Sequence, residues 1–431
     1  MSETEQTQQT SKELADEMVK KLAAESEQDL TYGDIVWGQL KKNTYAMWSL
    51  YLLIALFAVA IFSPLVASDR PFIWTENGVT SYPWFSSLFD RNYFENAVDL
   101  FFNVLLILLL PLGATWYALL KHFQRTEPMK RPRRRKIQNS VIGLVLFTLL
   151  TYVAVLQMDN SEPYRSYLEE YEESVNANDG KNDGKIDATF PMIPYGYRKI
   201  GFKSLESPSS KHWLGVDQST RDVAVRMLYG TRIALSIGVI AVSIYVTIGV
   251  IIGSMAGFFG GLVDLLVVRF IEIFMSIPSL FVILTLLAFV EKPSIFHIMM
   301  VIGLLSWTGV ARLVRGEFLR LRNLDFVNAA IALGFPTHRI IFQHILPNAL
   351  GPVLVNATFG VASAILTEST LSFLGLGDPS VPSWGQTLSE GYATNAWHLI
   401  LTPGIAIFLT VSLLNQLGDG VRSALDPKAR K

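Results

Sequence analysis

Ile233-Ala-Leu-Ser-Ile-Gly-Val-Ile-Ala-Val-Ser-Ile-Tyr-Val-Thr-Ile-Gly-Val-Ile-Ile-Gly-Ser-Met-Ala-Gly-Phe-Phe-Gly-Gly-Leu-Val263 contains no Asp, Glu, Lys or Arg. A helix needs about 20 apolar residues to cross the hydrocarbon core, and only helices satisfy their own backbone polar groups there. Seven further runs share this freedom from charge: Ala46–Ser68, Leu100–Leu120, Asn139–Met158, Ile273–Val290, Pro293–Ala311, Ile340–Thr367 and Gly391–Leu417. The chain therefore reads as an all-α membrane protein, a polytopic helical bundle of about eight spans. Half of its residues are hydrophobic and only 17% are charged, which a soluble domain of this size would not show. Arg269 and Glu272 stand just before the fifth run, where snorkelling to a membrane face accounts for them.

Basic residues set the expected orientation. Between the second and third runs, Lys121, Arg125, Lys130, Arg131, Arg133, Arg134, Arg135 and Lys136 crowd one short loop, which such a cluster keeps on the cytoplasmic side. Both termini then fall on that side, in agreement with Arg422, Lys428, Arg430 and Lys431 in the tail. The first 30 residues lack an apolar segment of signal-peptide type, so the first span is expected to be its own insertion signal. Leu14, Met18 and Leu22 recur as in a weakly amphipathic tail helix. Trp37, Lys41 and Lys42 suit a short helix in the membrane interface.

The expected organisation is a tail and interfacial helix over 1–45 and a first span over 46–68. An outside segment with a helical hairpin (100–120, 139–158) fills 69–158, and an outside loop fills 159–226. A core domain covers 227–419 and a tail 420–431. The patch Asp179–Asp187 invites a calcium loop, but Lys181 and Phe190 stand where that loop needs oxygen ligands, so it reads as a hydrophilic turn.

Few chemistries survive inspection. No phosphate-binding glycine loop occurs, so the chain is not its own ATPase. There are no cysteines, the six histidines form no i,i+3 or i,i+4 pair, and no serine sits in a Gly-x-Ser-x-Gly elbow. No catalytic or metal-ligating residue is assigned, and no nucleic-acid partner. Glu368 is the one carboxylate expected within a span, at its outer end. It suits either a pore gate or a structural hydrogen bond to a neighbouring helix. Trp384, in Ser383-Trp384-Gly385, is expected outside the membrane, at the interface or against a partner.

One loop on the expected cytoplasmic side stands out. Asp325-Phe-Val-Asn328-Ala329-Ala330-Ile-Ala-Leu-Gly334-Phe-Pro-Thr leads into His338-Arg-Ile-Ile-Phe-Gln-His344-Ile-Leu346-Pro347-Asn348. It reads as a short helix, a turn at Gly334, and a second short helix entering the next span. Ala329 and Ala330 allow close approach to another surface, and Pro347 is expected to prevent a smooth continuation. Such a hook suits docking of a soluble partner.

At this loop the chain resembles the membrane subunits of ABC importers, whose pattern is Glu-Ala-Ala, three residues, Gly, nine residues, Ile-x-Leu-Pro. Ala329, Ala330, Gly334, Leu346 and Pro347 match, whereas Asn328 replaces the Glu and His344 the Ile. His212-Trp-Leu-Gly-Val-Asp217, Leu228-Tyr-Gly-Thr-Arg232, Trp307-Thr-Gly-Val-Ala-Arg312 and Glu368-Ser-Thr-Leu-Ser-Phe-Leu-Gly-Leu-Gly377 are similar to the dipeptide/oligopeptide branch. Met47-Trp-Ser-Leu and Ala67-Ser-Asp-Arg-Pro-Phe look most like its Yej-type members.

The resemblance implies a type I importer transmembrane domain with two extra helices inserted after the first span, packed at its periphery. It implies a permease, not an enzyme, in the bacterial inner membrane. Its partners would be a second homologous permease, two cytoplasmic ATPases and a periplasmic peptide-binding protein. ATP and magnesium would bind to the ATPases and no cofactor to this chain. Asn328, Ala329, Ala330, Gly334, Leu346 and Pro347 would meet the ATPase. A permease of the same family for nickel, an opine or a glycoside, and an ATP-independent carrier, are the alternatives.

Overall fold

The computed structural model describes residues 32–126, 130–158, 165–176 and 186–425. The expected tail helix, the calcium-like patch up to Gly184, the basic side chains from 125 to 135, and Lys428, Arg430 and Lys431 lie outside what is described.

Helix α1 (Tyr32–Lys42) leads through Asn43, whose Oδ1 accepts the Ala46 amide, into α2 (Thr44–Val66). Beyond α2 the chain forms a hairpin of β1 (Ile73–Glu76) and β2 (Val79–Ser81), then the short α3 (Pro83–Ser87). Asn77 and Gly78 both have positive φ, 51° and 82°, as a tight two-residue hairpin turn requires. Then come α4 (Ala97–Thr126), α5 (Lys130–Gln157), α6 (Tyr167–Asn176) and β3 (Ile186–Thr189). Strand β3 pairs antiparallel with β1, giving a sheet of order β2-β1-β3. The all-helical expectation thus misses a small sheet, for which Asn77-Gly78 between β-branched residues was the available signal.

The remainder is helical: α7 (Val223–Phe259), α8 (Gly261–Ser276), α9 (Ser279–Ala288), α10 (Ile295–Leu321) and α11 (Asp325–Ala332). After these, α12 (Thr337–Arg339) and a π-helical turn (Ile340–Ile345) precede α13 (Leu346–Phe373), α14 (Trp384–Thr394) and α15 (Trp397–Leu425). Among the described residues, seven helical stretches are long and apolar enough to cross a membrane, or eight if α8 and α9 make one broken span.

Three boundaries differ from the hydropathy reading for physical reasons. Helix α7 has 37 residues, about 55 Å at 1.5 Å each, so it overshoots the hydrocarbon core and begins ten residues before the apolar run. Its first turns carry Arg226, expected in the outside loop, and Arg232, just ahead of the apolar run, and both are buried in protein. The run Ile273–Val290 is not one straight span: α8 and α9 bend by 76° across Ile277-Pro278, because Pro278 cannot continue a helix. The last run starts inside α14 and is broken at Asn395, in the left-handed conformation at φ 53°.

Helices α7 and α10 run parallel, joined by the broken α8–α9 segment between them, and pack through glycines four residues apart. A Cβ on Gly249 would lie 2.6 Å from the Val310 Cβ, and one on Gly257 2.5 Å from the Phe318 Cβ. Absent side chains let the backbones approach, which is how membrane helices gain contact without a hydrophobic driving force.

The inserted pair is not wholly peripheral. Pro64 has no N–H for the Ala60 carbonyl one turn earlier in α2, and that carbonyl accepts Arg232 Nε at 2.7 Å instead. Arg232 Nη1 donates to Asp99 Oδ1 of α4 at 3.1 Å, and the guanidinium lies over the Phe102 and Tyr229 rings. Both charges are fully buried. One ion pair thereby joins the first span, the inserted α4 and the core helix α7. Helix α5 does lie outside, with only 11% of its apolar window buried.

At the end of the bundle away from Asp325–Pro347, Asp222 caps α7 by accepting the Val225 amide at 3.0 Å, while its other oxygen pairs with His212 Nδ1 at 2.8 Å. Arg221 donates to both Asp217 and Glu390, tying this loop to α14.

Candidate functional site

The hook is built by its own capping chemistry. Helix α11 ends with the Gly334 amide donating to Ile331 O at 2.9 Å and the Phe335 amide donating to Ala330 O at 3.1 Å. That double bond pattern needs a left-handed residue, and Gly334 supplies it at φ 72°. Val327 and Ala330 are buried against Phe318, Leu321, Ile340 and Ile345, so the hook is packed onto the feet of α10 and α13. The two alanines therefore part company: Ala329 faces out, as Asn328 does, whereas Ala330 is small because it sits in the hook's own core.

Outward, Leu324, Phe326, Ile331, Leu333 and Phe342 are exposed, Leu333 at 73%. An apolar patch of this kind outside the spans marks a protein-docking face. Arg322 donates to Gly257 O at 3.1 Å, and Arg315 pairs with Asp264, so the hook's base is joined to both neighbours of the α7–α8 turn.

Pro347 does not interrupt the second helix. The π-helical turn widens the backbone just ahead of it, with the Leu346 amide donating to Ile341 O, and the helix runs unbroken from Thr337 to Phe373. The wider turn accommodates the ring that would clash with a regular α-helical carbonyl. Asn348 Nδ2 donates to the His344 carbonyl at 2.8 Å. Leu346 is half-buried and Pro347 exposed. His344, one of the two departures from the family pattern, stacks on Phe335 at 5.6 Å, and the Arg339 guanidinium lies 4.3 Å from the same ring.

Within the spans, Asn356, Gly360, Ser363 and Thr367 recur on one face of α13. With Ser306 and Gly309 of α10 they line a cavity of about 290 Å³. Tyr245 of α7 also lines it, and a Cβ on Gly360 would collide with the Tyr245 hydroxyl oxygen. The i, i+4, i+7, i+11 spacing of Asn356, Gly360, Ser363 and Thr367 is legible in the sequence as one small and polar helix face.

Glu368 follows Thr367 but points the other way. Its Oε1 accepts Ser372 Oγ at 2.6 Å and Ser383 Oγ at 2.8 Å, and its Oε2 accepts Ser369 Oγ at 3.5 Å, all in the interior. The carboxylate thereby bridges α13 and the residue that precedes α14. Ser383 caps α14 and Trp384 is buried, donating from Nε1 to Met227 O at 3.2 Å, so Trp384 is no surface anchor. Two motifs that read as separate, around Glu368 and Ser383, are halves of one polar knot.

Arg269 and Glu272 pair with each other at 2.7 Å on α8 with 68% and 55% of their side chains exposed. They lie one to two turns beyond Asp264, which faces Arg315, and beside Phe270 and Phe274, which pack on Trp307. Only Ile271 of α8 is buried. The pair thus stands in the latter half of α8.

Residues 249–431 match the family of binding-protein-dependent transport system inner membrane components, and residues 31–80 match the N-terminal transmembrane domain of oligopeptide transport permease C. The oligopeptide transport system permease protein OppC of Haemophilus influenzae is 45% identical over 246 residues, covering 56% of this chain and 78% of that protein. The dipeptide transport system permease protein DppC of Bacillus subtilis is 41% identical over 228 residues, 52% of this chain and 71% of that one. A putative peptide permease protein of Brucella ovis is 34% identical over 314 residues, 70% and 92% of the two chains. A solved structure of the MetNI methionine ABC transporter aligns with a TM-score of 0.39 at 20% identity, over 46% of this chain and 96% of that one. The chain belongs to the binding-protein-dependent transport system inner membrane components, as a multi-pass ABC importer permease.

Proposed function

We propose that this chain forms one half of a pore for di- and oligopeptides in the bacterial inner membrane. A periplasmic binding protein delivers the peptide, a second homologous permease supplies the other half, and two cytoplasmic ATPases dock on Asp325–Pro347. The observation that carries this reading is the hook, an exposed apolar face whose inner side is locked into the feet of α10 and α13. Force on such a face is transmitted to two spans at once, which links nucleotide state to membrane-domain orientation. ATP and magnesium act on the ATPases, and this chain has no catalytic task.

The cavity lined by Asn356, Ser363, Thr367 and Ser306 supports a passage of weak, uncharged polar contacts that a peptide can leave as well as enter. The exposed Arg269–Glu272 pair supports a protein or water neighbour for α8, since a charged pair on a span does not face lipid. The relatives named for oligopeptide and dipeptide transport support peptide as the solute. The basic loop supports termini on the ATPase side.

Reconstituting the complex purified through this chain in liposomes, with lumenal ATP and an external binding protein, tests the reading. Uptake of labelled di- to pentapeptides that requires ATP, and is lost when Ser363→Leu fills the cavity, is the expected result. ATP-driven uptake of nickel or a glycoside without peptide uptake would assign the family's other solutes. Uptake without any ATPase would make it a carrier.

A further inference from the structure

Between α2, the first turns of α7 and α15 runs an apolar groove of about 720 Å³. Along α2 it extends from Val66 to Leu52 and along α15 from Thr402 to Leu413, about 16–21 Å at 1.5 Å per residue. Its depth comes from Ala55 and Ala406, small residues flanked by Leu52, Val59, Ile405 and Leu409. Two of the polar groups in its wall are engaged within the protein: Thr231 Oγ1 donates to Met227 O at 3.0 Å and Trp384 Nε1 to the same carbonyl at 3.2 Å.

At the end away from the hook the groove adjoins a smaller recess of about 210 Å³. The two share Ile193, Trp213 and Ala224. Ser210 and Lys211 edge this second recess. Lys211 is exposed and makes no ion pair among the described residues, and Trp213, half-exposed, stands at the junction. Asp222 also borders the recess, but both its oxygens are taken by His212 and the Val225 amide.

We propose that groove and recess form one site for a membrane phospholipid, with an acyl chain in the groove and the phosphate at Lys211 and Ser210. Half of a hydrocarbon core is about 15 Å deep, close to the length of the groove. An aromatic where the apolar wall ends, followed by an uncommitted cation, is the order in which a lipid presents its chain, its interface and its phosphate. A protein helix lying in the groove would leave Lys211 without a counter-charge. The proposal does not depend on which solute the pore carries.

Native mass spectrometry of the complex purified through this chain in mild detergent tests it, with palmitoyl-oleoyl phosphatidylglycerol, phosphatidylethanolamine or the matching diacylglycerol as probes. One phospholipid per chain is expected to survive activation that strips the rest. Ala406→Trp and Ala55→Trp, which fill the groove at two heights, lower that retained fraction at least fivefold, with thermal unfolding verifying each fold. Lys211→Glu lowers retention of both phospholipids at least fivefold and leaves diacylglycerol unchanged, and Lys211→Arg restores it. Equal retention in both tryptophan variants, indifference to Lys211→Glu, or a cross-link from Val59→Cys to a neighbouring protein helix in place of lipid overturns the proposal.

Discussion

Gly334 supplies a backbone geometry that no other residue adopts as cheaply, and the hook's end rests on it. A β-branched residue at φ 72° costs about 1–2 kcal/mol and loosens the two amide bonds that terminate α11. Gly334→Val is expected to leave insertion intact while abolishing peptide-stimulated ATPase activity of the reconstituted complex. Unchanged stimulation would separate the hook's end from coupling. Glu368 works differently, as the acceptor for three serine hydroxyls. Glu368→Ala orphans buried donors at about 1–3 kcal/mol each, whereas Glu368→Gln keeps an acceptor. Thermal unfolding in detergent is expected to fall by several degrees for the alanine variant and little for glutamine. The sequence marked both residues as unusual. It did not give the face Glu368 uses, because Thr367, Glu368, Ser369, Thr370 and Ser372 follow one another around the end of the helix and leave no face distinct.

Elements join through groups that hydropathy counts as loop. The Arg232–Asp99 pair is legible only as two charges far apart in sequence, and its third partner, the Ala60 carbonyl, is available because of Pro64. Removing one partner of a buried pair costs about 3–5 kcal/mol. Asp99→Ala is therefore expected to lower the unfolding temperature sharply and to release α4, seen as faster hydrogen exchange at its first turns. An unaltered melt would make α4 the appendage its position in the chain suggests. At the far end, Arg165 ties β1 to α6 through Glu76 and Glu170. Hydrogen bonds from Arg165 and then from Trp74 hold the Glu76 carboxyl below the usual glutamate range. A lowered carboxylate contributes stability that is present above its unfolded value and lost as pH falls through the folded one. Hydrogen exchange in β1 should thus quicken on acidification below about pH 4, and Glu76→Gln should remove that dependence. The small sheet itself escaped the sequence because four-residue strands carry little periodicity, and the broken α8–α9 span because hydropathy is blind to a bend.

At the scale of the whole molecule, eight apolar runs sufficed for the architecture, because the bilayer leaves helices as the only option for a span of this kind. What the runs omit is which helix faces are shared. The polar stripe of α13 and the lone buried residue of α8 both say that this bundle has surfaces meant for neighbours. The central claim is that the outer face of the hook meets an ATPase. Because the chain has no cysteine of its own, Leu333→Cys provides a single reactive site in the centre of that face. Cross-linking from it in native membranes, with the adduct identified by mass spectrometry, measures the contact directly. A nucleotide-binding subunit joined to residue 333, with a yield that changes on adding ATP, is the predicted result. Labelling of that cysteine by an impermeant reagent from the periplasmic side, with no ATPase adduct, would contradict both the topology and the coupling role.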